Sequence, residues 1–149
     1  MIKRLIDVGI AVKDLDAAVR KYSEVLGVKA RILPPEHYAY SGLKGASLRI
    51  GEASISLVAS EKNDSPVARF LETRGEGVNH ISLEVTDIEH DMRDLAGKGV
   101  KFASDRPLTF FDGEVIFAHP KSLHGVQIAF VQAKPGIDLL TGKGLNKNR

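Results

Sequence analysis

Gly77-Val78-Asn79-His80-Ile81-Ser82-Leu83-Glu84-Val85 decides the fold, because its pattern occurs a second time near the N-terminus as Asp7-Val8-Gly9-Ile10-Ala11-Val12. Setting Asp7 on His80 fixes an offset of 80 − 7 = 73, which also puts Val12 on Val85, Asp14 on Asp87 and Arg20 on Arg93. The same offset lays Ile55-Ser56-Leu57-Val58 on Ile128-Ala129-Phe130-Val131. A fixed self-similarity of this kind marks two copies of one supersecondary unit. Asp7, Ser56, His80 and Ala129 then occupy matching places, and they frame the functional question.

Composition sets the bounds. A chain of 149 residues with 43% hydrophobic composition supports a substantial core without staples. It holds no cysteine, so thiolate metal sites and disulfide chemistry are excluded. Of its 21 Lys/Arg and 19 Asp/Glu, four and one fall in residues 133–149, leaving a nearly neutral body with 17 and 18. No basic surface for nucleic acid is encoded, and no apolar run is long enough for a signal peptide or membrane span. A soluble, cytoplasmic protein with no nucleic-acid or membrane partner is expected.

Along the chain, Leu5 to Val12 reads as a strand, and Asp14 as the N-cap of a helix with Leu15, Ala18, Val19, Tyr22 and Leu26 on one face. Gly27 stands where a glycine ends such a helix. Val28 to Leu33 is extended, Pro34-Pro35 breaks it, and His37 to Tyr40 forms a loop. Ala46 to Ile50 and Ser54 to Ala59 make a hairpin at Gly51-Glu52, so the first unit is β-α-β-β-β. Ser65-Pro66 starts a connector helix ending at Gly75. In the second unit Val78 to Val85 is a strand, and Asp87 caps a helix bearing Ile88, Met92 and Leu95. Val100-Lys101-Phe102 repeats Val28-Lys29-Ala30, and Glu114 to Ala118 and Val126 to Gln132 are the last strands. The expected organisation is a single domain over 1–132, with repeats at 4–60 and 76–132, a connector helix at 65–75 and a mobile tail at 133–149.

Three segments carry a family resemblance: Asp7 to Val12 with Asp14 to Ala18; Ser65 to Leu71 with Gly75 to Ile81; and Phe117 to Ser122 with Gly125-Val126. With the paired βαβββ units, they resemble the vicinal-oxygen-chelate superfamily of glyoxalase, bleomycin-resistance and dioxygenase proteins, and within it methylmalonyl-CoA epimerase. The resemblance covers residues 4 to 132. It implies an α+β fold whose two βαβββ units pair into an incurved mixed sheet, and a homodimer. It also implies a divalent ion held by a His, a Gln or Glu, a His and a Glu, two from each repeat. This chain has Asp7, Ser56, His80 and Ala129 at those places, so only His80 is retained and Asp7 alone could join it. Two protein ligands fall short of the three a catalytic zinc takes, so no cofactor is expected, with weak metal binding at Asp7 and His80 as the residual alternative.

If four side chains once met one ion, the tips of Asp7 and His80 should lie about 3 to 4 Å apart or closer. The carboxylate would orient the imidazole for acid–base work, with Ser56 as a hydrogen-bond donor, so His80, Asp7 and Ser56 are the candidate catalytic residues. Arg49 could pair a substrate carboxylate, and Lys121, in a loop resembling that of the epimerase, a phosphate. Tyr38, Tyr40, Phe110 and Phe111 could line the pocket, and Glu84 or Glu114 could face His80 as a second acid or base. Two functions stay open. One is an epimerase, isomerase or lyase that moves a proton α to a carbonyl of an acyl-CoA or related small molecule. The other is a metal-free module that binds or sequesters a small ligand, in which Asp7 and His80 form a structural ion pair.

Overall fold

The 73-residue offset reappears as strand register. In the computed structural model, which describes residues 1–144, β1 (Ile2–Ala11) runs parallel to β4 (Ala53–Ser60), with Val8 opposite Ile55 and Ile10 opposite Leu57. β5 (Gly77–Val85) runs parallel to β8 (Ile128–Ala133), with Ile81 opposite Ile128 and Leu83 opposite Phe130. The separations are identical, 55 − 8 = 47 and 128 − 81 = 47, so the repeat preserves pairing as well as pattern. The fold is mixed α+β, and its contacts divide the chain into two compact units, Asp7–His80 and residues 1–6 with 81–149.

In the 7–80 unit the strand order is β2-β3-β4-β1, where β2 is Arg31–Leu33 and β3 is Leu43–Ile50. α1 (Leu15–Leu26) starts where the Asp14 carboxylate accepts from the Ala17 amide at 3.0 Å, and it ends at Gly27 with φ 65°. Such a cap is worth about 1 kcal/mol, and a φ of that sign is cheap only for glycine. The helix packs through Leu15, Ala18, Val19 and Tyr22 on Ile10, Val12, Ala46, Leu48, Ile55, Leu57 and Ala59. Strand alternation sends the intervening residues to the other face: Asp7 and Gly9 on β1, Ser54 and Ser56 on β4, Ser47 and Arg49 on β3. α2 (Pro66–Arg74), capped by Ser65, covers one end of that second face. There Val67, Phe70 and Leu71 pack with Ala11, Leu43, Val58, Tyr38 and Tyr40, while the end bearing Asp7 and Ser56 keeps its polar side chains.

In the other unit the order is β5-β8-β7-β6, with β6 at Leu108–Phe110 and β7 at Gly113–Ala118. α3 (Ile88–Gly97), capped by Asp87, covers Leu83, Val85, Ile116, Ala118, Ile128 and Phe130. Val100 to Phe102 contributes only a bridge from Phe102 to Ala118. The strand that accompanies β7 is β6, because the turn at Phe111-Asp112 folds Leu108–Phe110 back onto it as a tight hairpin.

Part of the stretch expected as a tail, residues 133–144, carries strand structure. β8 runs to Ala133, and β9 (Ile137–Asp138) pairs with β10 (Lys143–Gly144). Leu140 is buried between them, and Asp138 accepts from the Leu140 amide and the Thr141 hydroxyl at 3.0 and 3.2 Å. An apolar anchor in a glycine-rich, lysine-bearing stretch is masked by its polar surroundings, which is why composition suggested mobility. Residues 145–149 lie outside the described residues. Among those described, no helix is long and apolar enough to cross a membrane.

Candidate active site

Asp7, Ser56 and His80 come together in the 7–80 unit. Gly9 and Ser56 are directly paired across β1 and β4, and Asp7 stands two residues before Gly9 on the same face. The Ser56 hydroxyl donates to Asp7 Oδ2 at 2.8 Å. His80 Nε2 lies 3.6 Å from Asp7 Oδ1. That is too long for a hydrogen bond and suits an ion pair when the ring is protonated. Asp7 Oδ1 is itself buried and has no hydrogen-bond partner among the described residues. An unmet carboxylate oxygen is costly, and a cation formed on the neighbouring imidazole would offset that cost.

Two residues that the sequence reading passed over complete the cluster. Asn79 Oδ1 and His80 Nδ1 are 3.0 Å apart, so the amide oxygen accepts the Nδ1 proton and, in the neutral ring, leaves the lone pair on Nε2 beside Asp7. The ring is thus oriented at Nδ1 by its chain neighbour rather than by the carboxylate. Gly9 lies beneath the imidazole, and a Cβ at that position would overlap the ring. Glycine within a strand is the signal that could have pointed to such a close approach. The side chains of Asp7 and His80 are 23% and 18% exposed, shielded yet reachable by a small molecule.

Tyr38 brings a further hydroxyl to the same face. It follows the 3-10 turn Pro35–His37, and its ring meets His37 edge-on at 5.2 Å. Its hydroxyl rests over Gly45, where any Cβ would collide with it, and Gly45 shares the face of Ser47 and Ser56. Burial first, and then the charge of Asp7, hold the phenol well above its ordinary value of 10.0. The side chain therefore remains protonated and can donate.

The other candidates are otherwise engaged or make their contacts in the other unit. Arg49 is on the expected face, but it is exposed and its Nε donates to the Gly51 carbonyl at 2.8 Å. Tyr40 packs in the apolar patch with Leu43, Val58 and Val67. Glu84, Phe111, Glu114 and Lys121 make their contacts in the other unit. Glu84 is buried and accepts from Arg4 Nε at 2.6 Å, with Lys3 Nζ at 3.5 Å. Phe111 is 61% exposed, with Lys134 Nζ 5.9 Å above its ring. Glu114 shares its face with Ile116 and Ala118, which α3 covers, so it lies on the opposite face from Glu84. Lys121 is exposed in the turn Pro120–Ser122, and its backbone amide donates to His119 Nδ1 at 3.1 Å.

The donor set departs from that of a metal enzyme. Among the described residues, Asp7 and His80 are the charged or imidazole donors in the cluster, and the Ser56 hydroxyl donates to Asp7. Among the described residues no three His, Asp or Glu converge. A divalent catalytic site with three protein ligands is therefore not supplied by these side chains.

Residues 7–117 match the family model of the glyoxalase/bleomycin resistance protein/dioxygenase superfamily. The chain belongs to that superfamily. Within it, the chain is 34% identical to the mitochondrial methylmalonyl-CoA epimerase of Mus musculus over 134 residues, 87% of this chain and 73% of that protein. It is 33% identical to the ethylmalonyl-CoA/methylmalonyl-CoA epimerase of Cereibacter sphaeroides, over 89% of this chain and 99% of that one. A variant of Streptomyces coelicolor methylmalonyl-CoA epimerase in complex with 2-nitronate-propionyl-CoA superimposes with a TM-score of 0.79 and 31% identity, covering 89% and 99% of the two chains.

Proposed function

We propose that this superfamily member epimerises an acyl thioester of the methylmalonyl-CoA type by moving the proton α to its carbonyl, without a divalent ion. The observation that carries the reading is the cluster itself: an imidazole oriented by Asn79, with its Nε2 beside a carboxylate whose nearer oxygen is unmet. The neutral Nε2 takes the α-proton, and the C–H electron pair moves onto the thioester oxygen as an enolate. The imidazolium that results stands 3.6 Å from Asp7 Oδ1, which stabilises it. Ser56 keeps Asp7 in place through Oδ2. The imidazolium passes its proton to water, and delivery of a proton from solvent to the opposite face of the planar carbon yields the epimer. Relatives named as epimerases of methylmalonyl- and ethylmalonyl-CoA support this substrate class.

The test is proton NMR of single-epimer methylmalonyl-CoA in deuterated water with the purified protein. The α-proton should exchange and the epimers should interconvert. His80→Ala should lower the rate by about 10²- to 10⁴-fold, the usual contribution of a general base. Calorimetric binding of the thioester without exchange would instead establish a binding module.

A further inference from the structure

An enolate needs a hydrogen-bond donor at its oxygen, and Ser56, the donor expected within the cluster, is occupied elsewhere. Ser56 gives its hydrogen to Asp7 Oδ2, and Arg49 is exposed with its Nε turned back to the Gly51 carbonyl. We propose that the Tyr38 hydroxyl, seated over Gly45 on the face that carries Asp7 and Ser56, is the donor that holds the enolate oxygen during α-proton transfer. This rests on the epimerase reading and names the catalytic group that it lacks.

The geometry is specific in two respects. Gly45 lies in the middle of β3, where glycine weakens a strand, and the space left by its absent side chain is the space the hydroxyl takes. The ring is fixed by packing among Ala11, Leu43, Val58 and Val67, so the O–H is pre-positioned instead of being recruited from solvent. Burial, and then the charge of Asp7, discourage ionisation of the phenol, so the group stays a donor while negative charge grows on the substrate oxygen. Tyr38 keeps its proton throughout. His80 takes the α-proton in the abstraction step, where atoms and charge balance between imidazolium and enolate.

A nitronate is planar and carries its negative charge on oxygen, so 2-nitronate-propionyl-CoA resembles the enolate, whereas propionyl-CoA resembles the uncharged ground state. Calorimetry should find that Tyr38→Phe weakens the nitronate about 10-fold or more and leaves propionyl-CoA within about 2-fold. In the exchange assay kcat should fall about 100-fold, the usual effect of losing one oxyanion donor, with KM little changed. Tyr38→Leu, which also lacks the hydroxyl, should show the same discrimination, and thermal melts establish that either variant is folded. Equal weakening of both ligands would assign Tyr38 a packing role, and undiminished nitronate binding with full kcat would remove it from the mechanism. Both results would leave the epimerase reading standing if the unmodified protein exchanges the α-proton. No exchange and no preference for the nitronate in the unmodified protein would overturn both.

Discussion

At the strand pair Gly9 and Ser56 the 7–80 unit carries a carboxylate, a hydroxyl and an imidazole on the face away from its helix. At the repeat-equivalent pair, Ser82 and Ala129, the other unit has a methyl group in place of the serine hydroxyl, with Val115, Phe117 and Val131 around it on the same face. Register is common to both units, since each parallel pair is separated by 47 residues. The difference lies in what the face away from the helix is used for. One unit leaves polar groups adjacent and incompletely paired, with Asp7 Oδ1 unmet; the other spends its buried carboxylate, Glu84, on Arg4 and Lys3 at the start of β1. Full pairing makes a carboxylate structural, and an unmet oxygen beside an imidazole leaves it available for chemistry.

Equivalent positions in the two units give the sharpest contrast. Gly9 and Ser82 are separated by 82 − 9 = 73 residues, but only Gly9 underlies an imidazole. Gly9→Ala should push the ring off Asp7 and cut exchange by about 100-fold, because displacements near 1 Å cost that much. Ser82→Ala should leave the rate within about 2-fold, as read in the same NMR assay. Similar losses from both substitutions would break the distinction between the units.

Glu84→Gln tests the opposite assignment. Removing the charge that pairs with Arg4 should lower unfolding stability by about 1.5 to 3 kcal/mol in a urea titration, the range for hydrogen bonds to charged groups, while exchange stays within about 2-fold. A stable variant with lost activity would move Glu84 into the catalytic cluster.

The smallest effect is one of pH. Tyr38 ionises at a higher pH in the folded chain than in the unfolded chain. Its contribution to stability is complete below the ordinary phenol value of 10.0 and declines as pH rises from there toward the folded-state value. Chemical denaturation between pH 9 and about 11 should show stability falling with pH, and Tyr38→Phe should flatten part of that slope.

Most of the fold was legible because it rests on local, periodic signals. Asp14, Ser65 and Asp87 announced their helices through cap chemistry, and the alternation around Asp7 and His80 announced paired strands. The repeat put Asp7, Ser56 and His80 at matching places, and the expectation that they meet came from the family resemblance, which sets those places around one ion. Tyr38 could be read as a pocket-lining aromatic but not as a donor, since it lies in a loop and its hydroxyl reaches this face only by packing over a glycine on another strand. Asn79 was overlooked because a side chain next to the histidine points to the opposite face of an ideal strand, yet its amide reaches Nδ1. Arg49 looked available from its face alone. The turn carbonyl that accepts from its Nε is set by the hairpin geometry at Gly51. Leu140 was hidden by its neighbours.

The central claim is that side chains, and not a divalent ion, move the α-proton. It is tested most directly by the α-proton exchange rate of methylmalonyl-CoA with protein dialysed against a chelator, before and after adding back zinc, cobalt or nickel. The rate should survive chelation, be unchanged within about 2-fold by added metal, and fall by about 10²-fold or more in His80→Ala. Exchange that disappears on chelation and returns with one equivalent of metal would contradict the account.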